Sequence, residues 1–192
     1  AMDKALKSHK MALEVYKQVG NPTGQARQLG NIGLIYWRQG KLDEALKAYK
    51  PALKTYQQIS NLQGEAEQLS NISLVYDDLG KPNKAQEFLK AGLETFKRIG
   101  NPLGLAHALS GVGTFHYDHG KLDHALKSYR DALEIFTKIK NPQGQGVQFL
   151  NIGLVYQQQG KLADAIKLYR DAIKIFSIVQ KSRHGNSFVI FS

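Results

Sequence analysis

Apolar positions recur with a helical period along most of the chain. Between residues 22 and 39 the side chains of Leu29, Ile32 and Tyr36 follow one another at intervals of three or four residues, which is the spacing of one face of an α-helix. The segment 43–59 shows the same period. Glycine or asparagine interrupts the pattern about every twenty residues, as is expected at helix ends. The chain is therefore predicted to be a succession of short helices, with no strand within residues 2–178.

The interruptions themselves repeat every forty residues. Asparagine suits a helix start, because its side chain accepts a hydrogen bond from a free amide of the first turn; it recurs at Asn21, Asn61, Asn101 and Asn141. Glycine suits a helix end, because it adopts the left-handed conformation there; it recurs at Gly40, Gly80, Gly120 and Gly160. Asp43, Asn83 and Asp123 are then expected to cap the second helix of each repeat. First helices are predicted near 22–39, 62–79, 102–119 and 142–159, and second helices near 43–59, 83–99, 123–139 and 163–178.

The two ends of the chain depart from this pairing. Residues 2–19 match a second helix, with Ala5, Ala12 and Tyr16 forty residues before their counterparts. The array thus begins in mid-repeat, as in a fragment of a longer chain, and the unpaired helix is a candidate self-association site. Residues 181–192 are expected to be a tail, either loose or a strand-like hook, and its apolar part is a second candidate. The predicted domains are an array over 1–180, made of a half repeat 2–19 and repeats 22–59, 62–99, 102–139 and 142–178, and the tail 181–192.

The apolar and small positions of each repeat resemble the tetratricopeptide signature. In the first full repeat these positions are Leu29, Ile32, Gly33, Tyr36, Ala45, Tyr49 and Ala52, and three further copies follow at forty-residue offsets. The period of forty is similar to that of Pins-type spindle-orientation adaptors and kinesin light chains. The resemblance implies an all-α fold, a right-handed α-solenoid of antiparallel helix pairs with about four and a half repeats.

A second stripe on each first helix, at positions i, i+4, i+7 and i+11, faces away from the packing face. In the arrays that this chain resembles, the stripe lines a concave groove that binds peptides. Carboxamides suit such a groove, because they both donate to and accept from a peptide backbone. The candidate groove residues, with two aromatic anchors beside the stripe, are Arg27, Asn31, Leu34, Trp37, Arg38, Glu67, Asn71, Leu74, Asp78, His107, Thr114, Tyr117, Asp118, Asn151, Leu154 and Gln158.

Each of these assignments has a structural alternative. The asparagines could instead bond neighbouring helices, and Trp37 and Tyr117 could be buried against an adjacent helix. Comparison with these arrays also disfavours one ligand class, a free carboxyl terminus. Chaperone-binding relatives hold a free carboxyl terminus with basic groove residues, whereas Gly30, Ser70 and Ser110 occupy such positions here.

Charge is unevenly divided between the two sets of helices. The four first helices carry five carboxylates and two arginines, a net charge of −3, so the remainder of the +10 chain carries +13. The excess lies in two rows assigned to turns and second helices: Lys41, Lys81, Lys121 and Lys161, and Lys50, Lys90, Arg130 and Arg170. Such rows are typical of a solvated face. They also leave open the alternative of polyanion binding, to nucleic acid or an anionic membrane surface.

Motifs for chemistry are incomplete. The chain has no cysteine, which favours a reducing, cytoplasmic location. His116, His119 and His124 lie close in sequence, but a metal site needs three or four convergent ligands. No phosphate-binding loop or nucleophile motif is present, and no apolar run is long enough to span a membrane. We therefore expect neither an enzyme nor a bound cofactor or metal, but an adaptor that binds a peptide segment of a partner protein.

Overall fold

The computed structural model describes residues 2–185, and side chains as far as residue 181. Within these residues it contains helices and turns and no strand. The nine helices of this part of the chain are α1 (Met2–Gln18), α2 (Pro22–Arg38), α3 (Leu42–Gln58), α4 (Leu62–Asp78), α5 (Pro82–Ile99), α6 (Pro102–Asp118), α7 (Leu122–Lys138), α8 (Pro142–Gln158) and α9 (Leu162–Gly185). The predicted all-α class is confirmed.

The first helices begin as predicted. The amide of Gly24 donates to Oδ1 of Asn21 over 2.8 Å, and the same bond forms at Asn61, Asn101 and Asn141. Each asparagine thereby satisfies one of the amides that a helix start leaves without a partner.

The second helices begin one residue earlier than predicted. The N-cap of α3 is Lys41, without a side-chain capping bond, and Asp43 lies in the first turn. The cause is the preceding turn, in which the amides of Gly40 and Lys41 donate to the carbonyls of Trp37 and Tyr36. This turn leads the chain directly into a helix at Leu42. Asp43 and Asp123 are therefore not caps, and their charges instead face the positive end of the helix.

The described chain divides into two units, one ending at Gly100 and the other beginning at Asn101. In the first unit α1 to α4 each pack on the helix that follows, and α2 also contacts α4. In the second unit α6 to α8 each pack on the helix that follows, and α6 also contacts α8. The contacts between first helices place their outer stripes side by side within each unit.

Small residues allow the paired helices to approach closely. Ala45 and Ala52 of α3 are fully buried. Gly33 of α2 faces the ring of Tyr49, and a Cβ at residue 33 would lie 2.6 Å from it. The aromatic ring thus occupies the space of the missing side chain, and it fills the contact between the two helices of the repeat.

Three local features complete the fold. Helix α3 continues through Pro51, which is exposed. Helix α1 and the turn after it expose Met11, Val15 and Val19, the apolar surface expected of the half repeat. Helix α9 runs to Gly185, into the segment predicted as a tail, and residues 186–192, with the predicted hook, lie outside the described residues.

Candidate peptide-binding surface

In the first unit, five of the candidate groove residues meet around one pocket. Arg27, Asn31 and Leu34 come from α2, and Glu67 and Asn71 come from α4. They line a cavity of about 130 Å³. The helical spacing of four residues accounts for this arrangement, because it places each pair on the same face of its helix.

The two asparagines of this pocket keep their hydrogen-bonding capacity. Both side chains are half-buried. In the described part of the chain neither is recorded in a hydrogen bond to another helix, and Asn151 of the second unit is likewise half-buried. The alternative assignment, in which these amides bond neighbouring helices, is not what the structure shows for Asn31 and Asn71. Both residues line the pocket.

The charged residues of the pocket are oriented by neighbours. Nη2 of Arg27 donates to the hydroxyl of Tyr16 over 3.0 Å, and its guanidinium lies over the same ring. Oε1 of Glu67 accepts from Gln63 over 2.7 Å. Burial first, and then the negative charge of Glu67, raise the pKa of Tyr56, while Arg27 lowers it. Tyr56 thus remains a neutral hydroxyl at the pocket.

Above the pocket, an aromatic residue joins the two first helices. The indole nitrogen of Trp37 donates to Oδ2 of Asp78 over 2.5 Å. Trp37 is half-buried, and Leu74 of α4 is 47% exposed. Arg38 is exposed at the end of α2 and partly offsets the burial that raises the pKa of Tyr49 to about 12. The surface therefore combines an accessible leucine and tryptophan with a hydrogen-bonded carboxylate.

In the second unit the candidate residues divide into two groups. Tyr117 packs against a core cluster that includes Tyr129 and Ile152, so the structural alternative is observed for this residue. Thr114 donates to the carbonyl of Ser110 and accepts from Tyr129. The remaining candidates are accessible on α6 and α8, namely His107, Asp118, Asn151, Leu154 and Gln158.

Three further residues, Gly30, Tyr56 and Gln68, also line the first pocket. The sequence placed Gly30 at a groove position only as the lack of a basic residue, and sequence reasoning missed Tyr56 and Gln68. A signal was present, since glutamine recurs at residues 28, 68 and 148, at multiples of forty. All three glutamines are buried, whereas the groove stripe was defined by its expected exposure.

The basic rows are partly engaged within the protein. The ammonium groups of Lys50 and Lys161 lie 5.7 and 5.5 Å from the ring centres of Tyr76 and Tyr156. Arg130 donates to the hydroxyl of Tyr156 over 2.7 Å. These cations cover tyrosines of the neighbouring first helix and are stabilised there, which gives the rows a role in packing.

The histidines of α6 and α7 form a separate group. The rings of His116 and His124 are 5.3 Å apart, while His119 lies on Phe115 and its Nδ1 is 2.8 Å from the Phe115 carbonyl. Nδ1 of His116 is buried without a hydrogen bond. In the described residues no three potential ligands converge as a metal site would require.

The environment of His116 predicts a pH-dependent stability of the second unit. Burial first, then the charges of His124, Lys121 and His119, lower the pKa of His116 from its ordinary value of 6.5. The unfolded chain therefore binds a proton at His116 at a higher pH than the folded chain does, and stability falls as the pH drops below about 6.5 and levels off below the folded pKa. Urea unfolding followed by hydrogen exchange of α6 and α7 would measure this loss.

The matched variant is His116→Tyr, because tyrosine occupies the equivalent positions 36, 76 and 156. We expect the variant to lose the titration step near pH 6.5 and to keep its stability at neutral pH. An unchanged pH profile in the variant would assign the effect to other groups.

Stacked helix pairs with small residues facing aromatic rings define a helical-repeat protein, and within the described residues no helix has the length and apolarity to cross a membrane. A tetratricopeptide repeat model matches residues 2–58, 25–98, 64–138 and 104–178. The chain belongs to the tetratricopeptide repeat family. This family fold is typically a non-enzymatic interaction module, and it places the chain among protein-interaction scaffolds in general.

Solved structures give the same fold. BtubC (BKLC) from P. vanneervenii has a TM-score of 0.80 at 23% identity, over 93% of this chain and 74% of that one. A Rap protein complexed with Competence and Sporulation Factor has a TM-score of 0.81 at 20% identity, over 92% of this chain and 49% of that one. A putative kinesin light chain from Podosopora anserina has a TM-score of 0.71 at 11% identity, over 93% and 89%. No curated protein sequence matches the chain. The present chain spans about half the length of the Rap protein.

Proposed function

We propose that this chain is an adaptor that binds a peptide segment of a partner protein on the outer stripe of its first helices. The observation that carries the proposal is that the side-chain amides of Asn31 and Asn71, which line the pocket of the first unit, make no hydrogen bond to another helix in the described part of the chain. Such side chains pair with the backbone of an extended or helical segment whatever its sequence. The cytoplasmic location favoured by the lack of cysteine is part of the same proposal.

The accessible apolar side chains support this function. Leu74 of α4 is 47% exposed and Trp37 of α2 is half-buried. Aromatic and apolar residues at the centre of a surface carry most of the energy of protein binding. The Rap protein of the same fold is complexed with Competence and Sporulation Factor, which supports a binding role for this fold. In the present chain the amides would hold the segment and the apolar side chains would select it.

A library of random displayed peptides, selected against the whole chain, tests the proposal. Dissociation constants of the selected peptides are then measured for Asn31→Ala and Asn71→Ala. We expect each substitution to weaken binding about tenfold, because it removes one or two hydrogen bonds of about 1 kcal/mol each. Circular dichroism verifies that the variants remain helical.

The matched controls are Gln58→Ala and Gln86→Ala, which remove exposed carboxamides from α3 and α5 of the same unit. Their affinities should stay within a factor of two of the parent, about 0.4 kcal/mol. Equal losses in the asparagine and glutamine variants would place the binding surface elsewhere.

Salt separates this function from polyanion binding through the basic rows. Affinity for a polyanion falls steeply between low and moderate salt, since each neutralised phosphate releases counterions. Groove binding should change only mildly over the same range. A selection that returns only acidic peptides with a steep salt dependence would favour the alternative.

A further inference from the structure

The first helices of three repeats carry a buried glutamine at the same position. Gln28, Gln68 and Gln148 are 6%, 5% and 1% exposed. Buried carboxamides are normally hydrogen-bonded, and a neighbouring helix supplies a partner in two of the three repeats. Nδ1 of His9 lies 2.8 Å from Oε1 of Gln28. Ser110 exchanges hydrogen bonds with Gln148, with its hydroxyl 3.2 Å from Oε1 and 3.0 Å from Nε2.

Gln68 is the exception among these three. Its Oε1 is buried and has no hydrogen-bond partner. Ser110 precedes Gln148 by 38 residues, and the residue 38 positions before Gln68 is Gly30. The hydroxyl that serves Gln148 therefore has no counterpart opposite Gln68. A Cβ at residue 30 would lie 3.2 Å from both polar atoms of Gln68. Because Gly30 has no side chain, it cannot give Gln68 the hydrogen bond that Ser110 gives to Gln148.

The position beside Gly30 and Gln68 belongs to the pocket of the first unit. Gly30 and Gln68 line it together with Asn31 and Asn71. Its volume of about 130 Å³ is roughly ten times the 10–15 Å³ of such space that one water needs, so it has room for more than a single water. Leaving a buried carbonyl without a partner is unfavourable, and a ligand that donates to it would relieve this cost only when bound.

We propose that Gln68 is a subsite for an amide group of the bound segment, admitted by the absence of a side chain at Gly30. The carboxamide of Gln68 accepts a hydrogen bond through Oε1 and donates through Nε2, which complements a ligand that has both an N–H and a carbonyl. Asparagine and glutamine side chains and the peptide main chain share this chemistry. The subsite rests on the proposed function for its biological ligand, and its chemistry can be tested separately.

Nuclear magnetic resonance of the whole chain tests the subsite with two small probes. Acetamide stands for a side-chain carboxamide, and N-methylacetamide stands for the main chain. The side-chain NH₂ signals of Gln68 should shift saturably with at least one probe, and the probe that saturates first identifies the source. Gln68→Met should abolish the saturable shift of the neighbouring Asn31 and Asn71 signals.

Exchanging glycine and serine at the two equivalent positions, 30 and 110, provides the matched variants. Gly30→Ser supplies the hydroxyl that Ser110 gives to Gln148, and serine is accepted at this position in two other repeats. We expect it to raise the melting temperature and to weaken probe binding at Gln68 at least tenfold. Ser110→Gly should open the equivalent place and produce a saturable shift at Gln148.

The two proposals fail in different experiments. The subsite would be overturned if neither probe shifted the Gln68 signals saturably, or if Gly30→Ser showed the same shift as the parent chain. If Gly30→Ser raised the melting temperature but the parent chain bound neither probe, the pocket would hold water only. Peptide binding that is insensitive to Asn31→Ala and Asn71→Ala would overturn the proposed function, whatever the probes show.

Discussion

Gly33→Leu is expected to unfold the helix pairs of its own unit while the amides from Asn101 onward stay protected from hydrogen exchange. A Cβ at residue 33 would lie 2.6 Å from the Tyr49 ring, which is closer than non-bonded carbons approach. Tyr49 is 1% exposed, so its ring has no free space to enter. Overpacking of this kind typically costs about 1–3 kcal/mol and occasionally more, and a leucine adds three further carbons to the clash.

Gly153→Leu should produce the mirror result. Its Cβ would lie 2.5 Å from the ring of Tyr169, which packs in the second unit. Stability in a repeat array is approximately a sum of repeat and nearest-neighbour contributions, so the loss of protection should begin in α8 and α9. Hydrogen exchange with mass spectrometry, read helix by helix, measures the difference between the two variants.

Gly111→Leu is the control, because nothing lies within 4 Å of a Cβ at that exposed position of α6. It should leave the second unit at least as stable, since leucine favours a helix over glycine by roughly 0.5–1 kcal/mol. Equal loss of protection along the whole chain in both Gly33→Leu and Gly153→Leu would show one cooperative globule, and the repeat-wise account of stability would be wrong.

The period of forty residues predicted the fold well because each repeat marks its own helix ends. Asn21 and its counterparts are short-range signals, and their capping bonds are local. The start of the second helices was wrong by one residue, because the amide of Lys41 is used by the preceding turn. The partner of Gly33 could not be predicted in the same way. Which side chain fills the space of a glycine depends on the rotation of the facing helix, here that of Tyr49.

The candidate surface was predictable only where exposure follows from helical spacing. Arg27, Asn31 and Leu34 do meet Glu67 and Asn71 of α4 at one pocket. The contact between Trp37 and Asp78 joins residues 41 positions apart, and no local pattern encodes it. Gln68 could not be predicted as a site residue, because it is buried. A buried polar residue has meaning only when its partners are known, and the sequence shows that position 30 is glycine without showing which group it would have touched.

Pro51→Ala is expected to stabilise the first unit by about 2 kcal/mol. Proline inside a helix removes the amide bond to the fourth residue before it and crowds that carbonyl, here Lys47, at a cost of about 3 kcal/mol. Alanine also makes the unfolded chain more flexible, which reduces the gain in folding stability by about 0.4–1 kcal/mol. The side chain of Pro51 is exposed, so the substitution leaves no cavity. Alanine already stands at the equivalent residue 91 of α5.

Asp131→Pro reverses the experiment in the second unit, because Asp131 is the exposed counterpart of Pro51 in α7. It should remove the amide bond to Lys127 and destabilise α7 by about 3 kcal/mol, while hydrogen exchange in α3 stays unchanged. Urea unfolding of both variants gives the free energies, and exchange in α3 and α7 assigns them to helices. If Pro51→Ala leaves exchange in α3 unaltered while Asp131→Pro disrupts α7, then α3 has adapted to its proline. The neighbouring helices α2 and α4, rather than the α3 backbone, would then determine the stability of that repeat.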